Sequence, residues 1–191
     1  MTIPLFEERT FTKENFPEKA FTQAEYENCQ FVACNFENTV LTDSKFINCV
    51  FTGCNLSLAN LENSMFQDVE FRNCKMLGLL FETCNPFNFS LHFEHCTLDH
   101  SSFFKVHLKK TRFLNCSLVE TDWEQADLSQ ARFEECDLNG AKFARTNLNK
   151  ADLRTAYGFA IDPENNNVKK TRFALHGLPG LLDKYKIDIS Y

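Results

Sequence analysis

The residues best equipped for chemistry in this 191-residue chain are nine cysteines and one group of histidines. Residues 27–36 read ENCQFVACNF, and the pair Cys29 and Cys34 returns as Cys49 and Cys54, followed by Cys74, Cys84, Cys96, Cys116 and Cys136. Closely spaced thiolates hold zinc or iron–sulfur clusters, and His92, His95, Cys96 and His100 form the densest metal-like group. Either site needs ligands that converge on one point. The spacing describes a line instead: all nine cysteines fall on the small-residue phase of a five-residue period, where a buried thiol behaves as a small hydrophobe. Cys96 is then expected to face inward and the flanking histidines outward, so no metal and no cofactor is expected. There is no G-x-S-x-G, no phosphate-binding glycine loop and no H-E-x-x-H, and six scattered glycines cannot form a nucleotide cradle. The chain does not read as an enzyme.

The elements that place these thiols follow from the same period. Every fifth residue from Phe6 to Phe81 is large and apolar, including Phe31, Phe36, Phe51 and Phe71. The run resumes at Phe93, 12 residues after Phe81, and continues through Phe103, Phe113, Trp123, Phe133 and Phe143 to Leu153, with Phe173 in phase. The positions up to Leu153, called i, hold 16 of the 21 phenylalanines. Five matches neither the helical period of about 3.6 nor the strand period of 2. A chain buries every fifth residue only by turning repeatedly about an axis, which predicts a solenoid. The residue two before i is small almost throughout, so a narrow interior pairs one large with one small side chain.

Alternation of aromatic and leucine after Phe93 leaves two or four segments per turn. Cys96, Cys116 and Cys136 recur at 20 while the positions between them are Val106 and Ala126, which selects four. The expectation is an all-β, right-handed quadrilateral β-helix with core columns such as Phe103–Trp123–Phe143 and a short C-terminal helix. Roughly eight coils at a ladder spacing of about 4.8 Å would make a rod of about 35–40 Å.

The stretches Cys54-Asn55-Leu56, Ala59-Asn60-Leu61, Ala126-Asp127-Leu128, Cys136-Asp137-Leu138 and Ala151-Asp152-Leu153 resemble the A(D/N)LXX motif of the pentapeptide repeat family over about residues 6–158. Within that family the chain looks most like the Qnr-type proteins. The features that carry this are the 54–61 stretch, a break near Cys84–Leu91, Trp123 at an i position and the terminal segment. The resemblance implies a non-enzymatic protein that binds a type II topoisomerase, DNA gyrase or topoisomerase IV, as a DNA-mimicking rod and modulates quinolone action. It also implies a homodimer formed through the C-terminal segment. A general protein-interaction or structural scaffold is the alternative. Long projecting loops of the kind several Qnr-type members carry are missing.

The expected organisation is one continuous solenoid: residues 1–84, a break at 85–92, residues 93–174, and a cap and tail at 175–191. The break supplies a candidate partner-binding loop, Asn85, Pro86, Phe87, Asn88 and Phe89, with a plain bulge as the alternative; deleting Asn88–Phe89 would restore the period. In the tail, Leu178, Leu181, Leu182 and Tyr185 fit a helical apolar face, with Pro179 suited to a first turn. That segment either caps its own coil or forms a dimer through Phe173, Leu175, Leu178, Leu181, Leu182, Tyr185 and Ile187.

The formal net charge is −6. Residues 1–84 carry 12 acids and 6 bases, residues 85–156 carry 10 and 9, and residues 157–191 carry 4 and 5. This balance argues against direct binding of nucleic acid. No apolar run approaches the roughly 20 residues of a membrane span, so no membrane association is expected. Nine cysteines without a leading signal pattern suggest reduced thiols in a cytoplasm. Arg112, Arg132, Asp152 and Arg172, spaced by 20, are expected to form a surface charge ladder.

Overall fold

The computed structural model describes residues 3–19 and 21–190; residues 1, 2 and 20 of the expected segment 1–84 and residue 191 of the expected tail lie outside the described residues. Each five-residue segment forms one wall of a square coil, and equivalent residues of successive coils pair in parallel. Strands are numbered in chain order. One wall is a four-stranded ladder of β1 (Leu5–Glu7), β3 (Glu25–Glu27), β5 (Lys45–Ile47) and β7 (Met65–Gln67). The next is seven-stranded: β2 (Thr10–Thr12), β4 (Gln30–Val32), β6 (Val50–Thr52), β8 (Val69–Arg72), β9 (Leu91–Glu94), β10 (Arg112–Leu114) and β11 (Arg132–Glu134). Bridges through Asp152 and Arg172 extend it. Seven strands and two bridges give eight steps, about 38 Å at a spacing of about 4.8 Å. The remaining walls pair only through single bridges such as Asn35↔Asn55 and Asp122↔Lys142.

The interior is a stack of columns. Phe11, Phe31, Phe51, Phe71, Phe93, Phe113 and Phe133 lie ring over ring, with centroids 4.5–5.5 Å apart. Phe81, Phe103, Trp123 and Phe143 form a second aromatic column with steps of 4.4, 4.3 and 6.4 Å. Phe36, Cys96, Cys116 and Cys136 are buried with them. Such rings contribute both area burial and stacking geometry to close packing.

Two polar habits explain the rest of the motif. Where the residue at i−2 is a cysteine, serine or threonine, it commonly donates a hydrogen bond to the carbonyl of a large residue in the preceding coil. Examples are Cys54 Sγ to Phe31 O (3.3 Å), Cys136 Sγ to Phe113 O (3.4 Å) and Thr146 Oγ1 to Trp123 O (2.8 Å). An Asn or Asp at i−1 accepts from the backbone N–H two residues on, as Asn35, Asn55, Asp127 and Asp137 do, a local turn these side chains favour. Corners form at i+2, where the backbone turns left-handed. Asn28, Asn48, Asn63, Asn73 and Asn115 occupy it, but so do Leu58 (φ 57°) and Lys150 (φ 60°). A non-glycine residue there costs roughly 1–2 kcal/mol. Coil-to-coil bonds offset that cost, for example Asn28 N–H to Ile47 O at 2.9 Å.

The terminal segment folds as two 3₁₀ turns, Leu175–Leu181 and Asp183–Tyr185, rather than an α-helix. Pro179 cannot donate within the turn, and Gly177 and Gly180 favour helix poorly. They are there for contact: a Cβ on Gly180 would lie 2.2 Å from the Phe159 carbonyl oxygen. Ile161 N–H donates to Gly180 O at 2.9 Å, and Lys184 pairs with Asp162 (2.8 Å) and Glu164 (2.6 Å). The strap therefore covers the last coil. No helix among the described residues is long and apolar enough to cross a membrane.

Candidate interaction surfaces

The nine cysteines are buried and free, and they line up as expected of core residues: Cys34, Cys54, Cys74, Cys96, Cys116 and Cys136 share one column. Burial pushes the Cys49 thiol up to about 12 and raises that of Cys84. His92, His95 and His100 are exposed while Cys96 faces the core, so the four do not converge. His95 instead lies 3.8 Å from Glu94, and His100 lies 3.2 Å from Glu120.

The break produces the most irregular surface of the rod. Cys84 still fills the small slot and Leu91 resumes it, but at a spacing of seven where five suffices elsewhere. The extra length leaves as the loop Asn85–Ser90 and interrupts the first wall, whose ladder stops at β7. The neighbouring wall runs through without a gap, with Val69 opposite Leu91 and Phe71 opposite Phe93. Asn85 Oδ1 accepts from Phe87 N–H at 3.0 Å, Asn88 turns left-handed, and both side chains bond downward to Asn63 and Gln67. Phe89 packs against the core as a half-buried substitute for an i residue, so deleting Asn88–Phe89 would remove a core side chain along with the slip. Phe87, at the tip, is 64% exposed.

Beside the loop lies a groove of about 340 Å³, floored by Phe81, Cys84, Phe89 and Val106 and rimmed by Glu82, Pro86, Phe104, Lys105 and His107. Lys105 Nζ sits 4.7 Å from the Phe104 ring centre. The missing rung leaves a mark on the backbone. In later coils the equivalent N–H groups bond downward, Asp127 to Val106 O and Asn147 to Ala126 O, both at 2.9 Å. His107 N–H has no such partner among the described residues. The sequence signals the slip, but not this orphaned donor.

At the terminal strap, Phe173 and Leu181 pack on the core, whereas Leu175, Leu178, Leu182, Tyr185 and Ile187 are exposed, Leu175 by 81%. The segment thus caps its own coil and still presents an apolar strip.

The sequence matches the model of the pentapeptide repeat region over residues 19–91 and 87–156. The chain belongs to the pentapeptide repeat family. No curated protein matches it. Among solved structures of pentapeptide repeat proteins, a trypsin-treated form of QnrB1, described as a plasmid-mediated fluoroquinolone resistance protein, shares 22% identity at a TM-score of 0.50. That alignment covers 98% of each chain. HetL from the cyanobacterium Nostoc sp. strain PCC 7120, involved in heterocyst differentiation regulation, shares 16% identity at a TM-score of 0.67, over 90% of this chain and 85% of that one. At these identities the likeness is one of fold.

Proposed function

We propose that the protein is a non-enzymatic interaction rod that acts in the cytoplasm on a type II topoisomerase, DNA gyrase or topoisomerase IV, and modulates quinolone action. The observation that carries an interaction role is the groove at the interrupted wall. It brings an apolar floor and the unmatched His107 N–H together beside the exposed Phe87 ring. The topoisomerase reading draws support from a fold shared with a fluoroquinolone resistance protein. It also draws on the 12 acids of residues 1–84, whose carboxylates can take the place of phosphates on a basic surface. In this reading Asn85–Phe89 contact the enzyme, and Phe173, Leu175, Leu178, Leu181, Leu182, Tyr185 and Ile187 join two copies.

The test is a gyrase supercoiling assay with and without a fluoroquinolone, titrating the protein and a variant in which Asn85–Ser90 is replaced by the sequence of residues 35–38, Asn-Phe-Glu-Asn. That replacement restores five-residue spacing and closes the wall. The protein is expected to shift supercoiling or drug sensitivity at micromolar levels and the variant to do neither. An inert protein would sink the topoisomerase assignment, and an equally active variant would sink the groove. For the dimer, Leu175→Ser with Leu178→Ser is expected to convert the sedimenting species to a monomer; a monomeric starting protein refutes it.

A scaffold for a different protein is the second reading. It is favoured by charge pairing on the first wall, where Lys45 binds Glu25 at 3.2 Å, and by the lack of any full-length column of acids among the described residues.

A further inference from the structure

One corner of the rod changes sign along its length. In the N-terminal coils its columns carry the acids Glu7, Glu8, Glu27, Asp68 and Glu70, with Arg9 the one base on the corner itself and Arg72 paired to Glu70 at its edge. Above the break the same corner forms a groove of about 540 Å³ lined by five cations, Lys110, Arg112, Arg132, Lys150 and Arg172, with a single acid, Asp152. Lys109, Lys169 and Lys170 flank it in sequence. The rungs are in register: Arg112 lies opposite Arg132, which bridges Asp152, which bridges Arg172. The expected ladder is thus present, but it pairs incompletely. Arg112 forks onto Glu134 at 3.2 and 2.9 Å, and Asp152 is shared by Arg154 (2.7 Å) and Arg172 (3.2 Å). Lys110, Arg132 and Lys150 have no ion-pair partner among the described residues. All three are exposed.

The geometry points to a binding site for a phosphate-bearing polyanion, the sugar–phosphate backbone of a nucleic acid, along this basic corner. Each of four successive coils, from Lys110 and Arg112 to Lys170 and Arg172, puts at least one cation on the corner, over three steps or about 14 Å, which matches a line of charges rather than one small anion. They project from a hydrogen-bonded ladder, so the row needs no ordering of its backbone on binding. The net charge of −6 does not forbid this, because the excess acid lies in residues 1–84. There Glu70 is two steps below Arg112, about 10 Å against a screening length of about 8 Å at physiological salt. The nearer acids Glu94, Glu134 and Asp152 each have a cationic partner. The rival occupant is the acidic half of a second, antiparallel copy. A corner strip of about 38 by 10 Å offers about 400 Å² per partner, half the usual 800 Å² or so of a stable interface. A polyanion needs no such area, since release of its counterions supplies the affinity. This inference stands apart from the topoisomerase reading.

The experiment is fluorescence anisotropy of a labelled oligonucleotide of about 20 residues, single-stranded and duplex, with the full chain between about 50 and 200 mM salt. Three phosphates neutralised on duplex DNA predict that affinity falls about 40-fold across that range. Arg132→Glu with Lys150→Glu is expected to weaken binding by about tenfold or more and flatten the salt dependence. Lys13→Glu with Lys75→Glu changes the net charge equally in the N-terminal half and is expected to leave affinity within about twofold. Arg132→Gln with Lys150→Gln repeats the first test with a milder change, and matching circular dichroism and melting curves establish that each variant is folded. No binding at low salt, or equal losses in both charge-reversal pairs, would overturn the proposal. So would self-association that Arg132→Glu with Lys150→Glu abolishes while the oligonucleotide remains unbound, which would assign the corner to a second copy.

Discussion

Phe113→Ala tests whether the ring column holds the rod together. Phe113 is fully buried, stacked 5.1 Å from Phe93 below and 4.9 Å from Phe133 above, and meets Trp123 edge-on at 5.6 Å. Truncating a buried Phe to Ala costs about 3–5 kcal/mol, the upper end applying where neighbours cannot collapse into the void. Here they cannot move far, because Phe93 and Phe133 belong to strands hydrogen-bonded in register on both sides. Losing two stacked pairs, each worth about 0.5–1.5 kcal/mol, places the expected cost at about 4–5 kcal/mol. The internal control is Phe11→Ala in the first coil. That ring is only half-buried and stacks on a single coil neighbour, Phe31 at 4.9 Å, so about 2 kcal/mol is expected. Urea titration followed by circular dichroism measures both, and nearest-neighbour coupling in a solenoid makes the central change the larger one. Equal costs, or less than about 2 kcal/mol for Phe113→Ala, would refute a close-packed column whose strength depends on both neighbours.

The nine thiols should resist a disulfide-exchange reagent in the native state and react fully in denaturant, counted by released chromophore; rapid labelling of several in the native state would contradict their burial. Gly180→Ala should detach the terminal strap, since the new Cβ meets the Phe159 carbonyl at 2.2 Å, and hydrogen exchange over residues 175–190 should rise while the central coils keep their protection. The strap should also loosen in acid. Lys184 holds Asp162 and Glu164 below their ordinary values of 3.8 and 4.5, so the stabilisation is present above those values and is lost as pH falls through the depressed ones. Limited proteolysis of the tail as a function of pH checks this; a cut rate that does not rise below about pH 4 would refute it.

The square coil was legible because, apart from one slip, its interior repeats steadily: one large residue every five, and cysteines returning at 20 while Val106 and Ala126 lie between them. Register across the break was legible only as a slip of two. That the slip empties one wall while its neighbour stays continuous depends on where the extra chain leaves the coil, and Phe89 gives no sign of taking a core position. The left-handed corners left a trace in Asn28, Asn48 and Asn73, but Leu58 and Lys150 at the same phase obscured it. In the tail, leucine spacing imitated an α-helix; the decisive residues were Gly177, Pro179 and Gly180, whose role is a close approach to Phe159. The ladder Arg112, Arg132, Asp152 and Arg172 was legible from its spacing of 20, but the lysines beside it, Lys110, Lys150 and Lys170, join it only once the neighbouring column of the same corner is in view.

The interrupted wall also has a mechanical meaning. Where neighbouring walls are laced from coil to coil, the rod resists bending; on the breached side no complete set of hydrogen bonds spans Gln67 to His107, and flexing toward or away from that side stretches the fewest bonds. The rod is therefore a beam with one preferred direction of curvature, and its softest point coincides with the groove. A segment seated there and bonded to His107 N–H would act as a splint, so occupancy of a site in the middle would be felt as a change in alignment between the acidic end and the basic one.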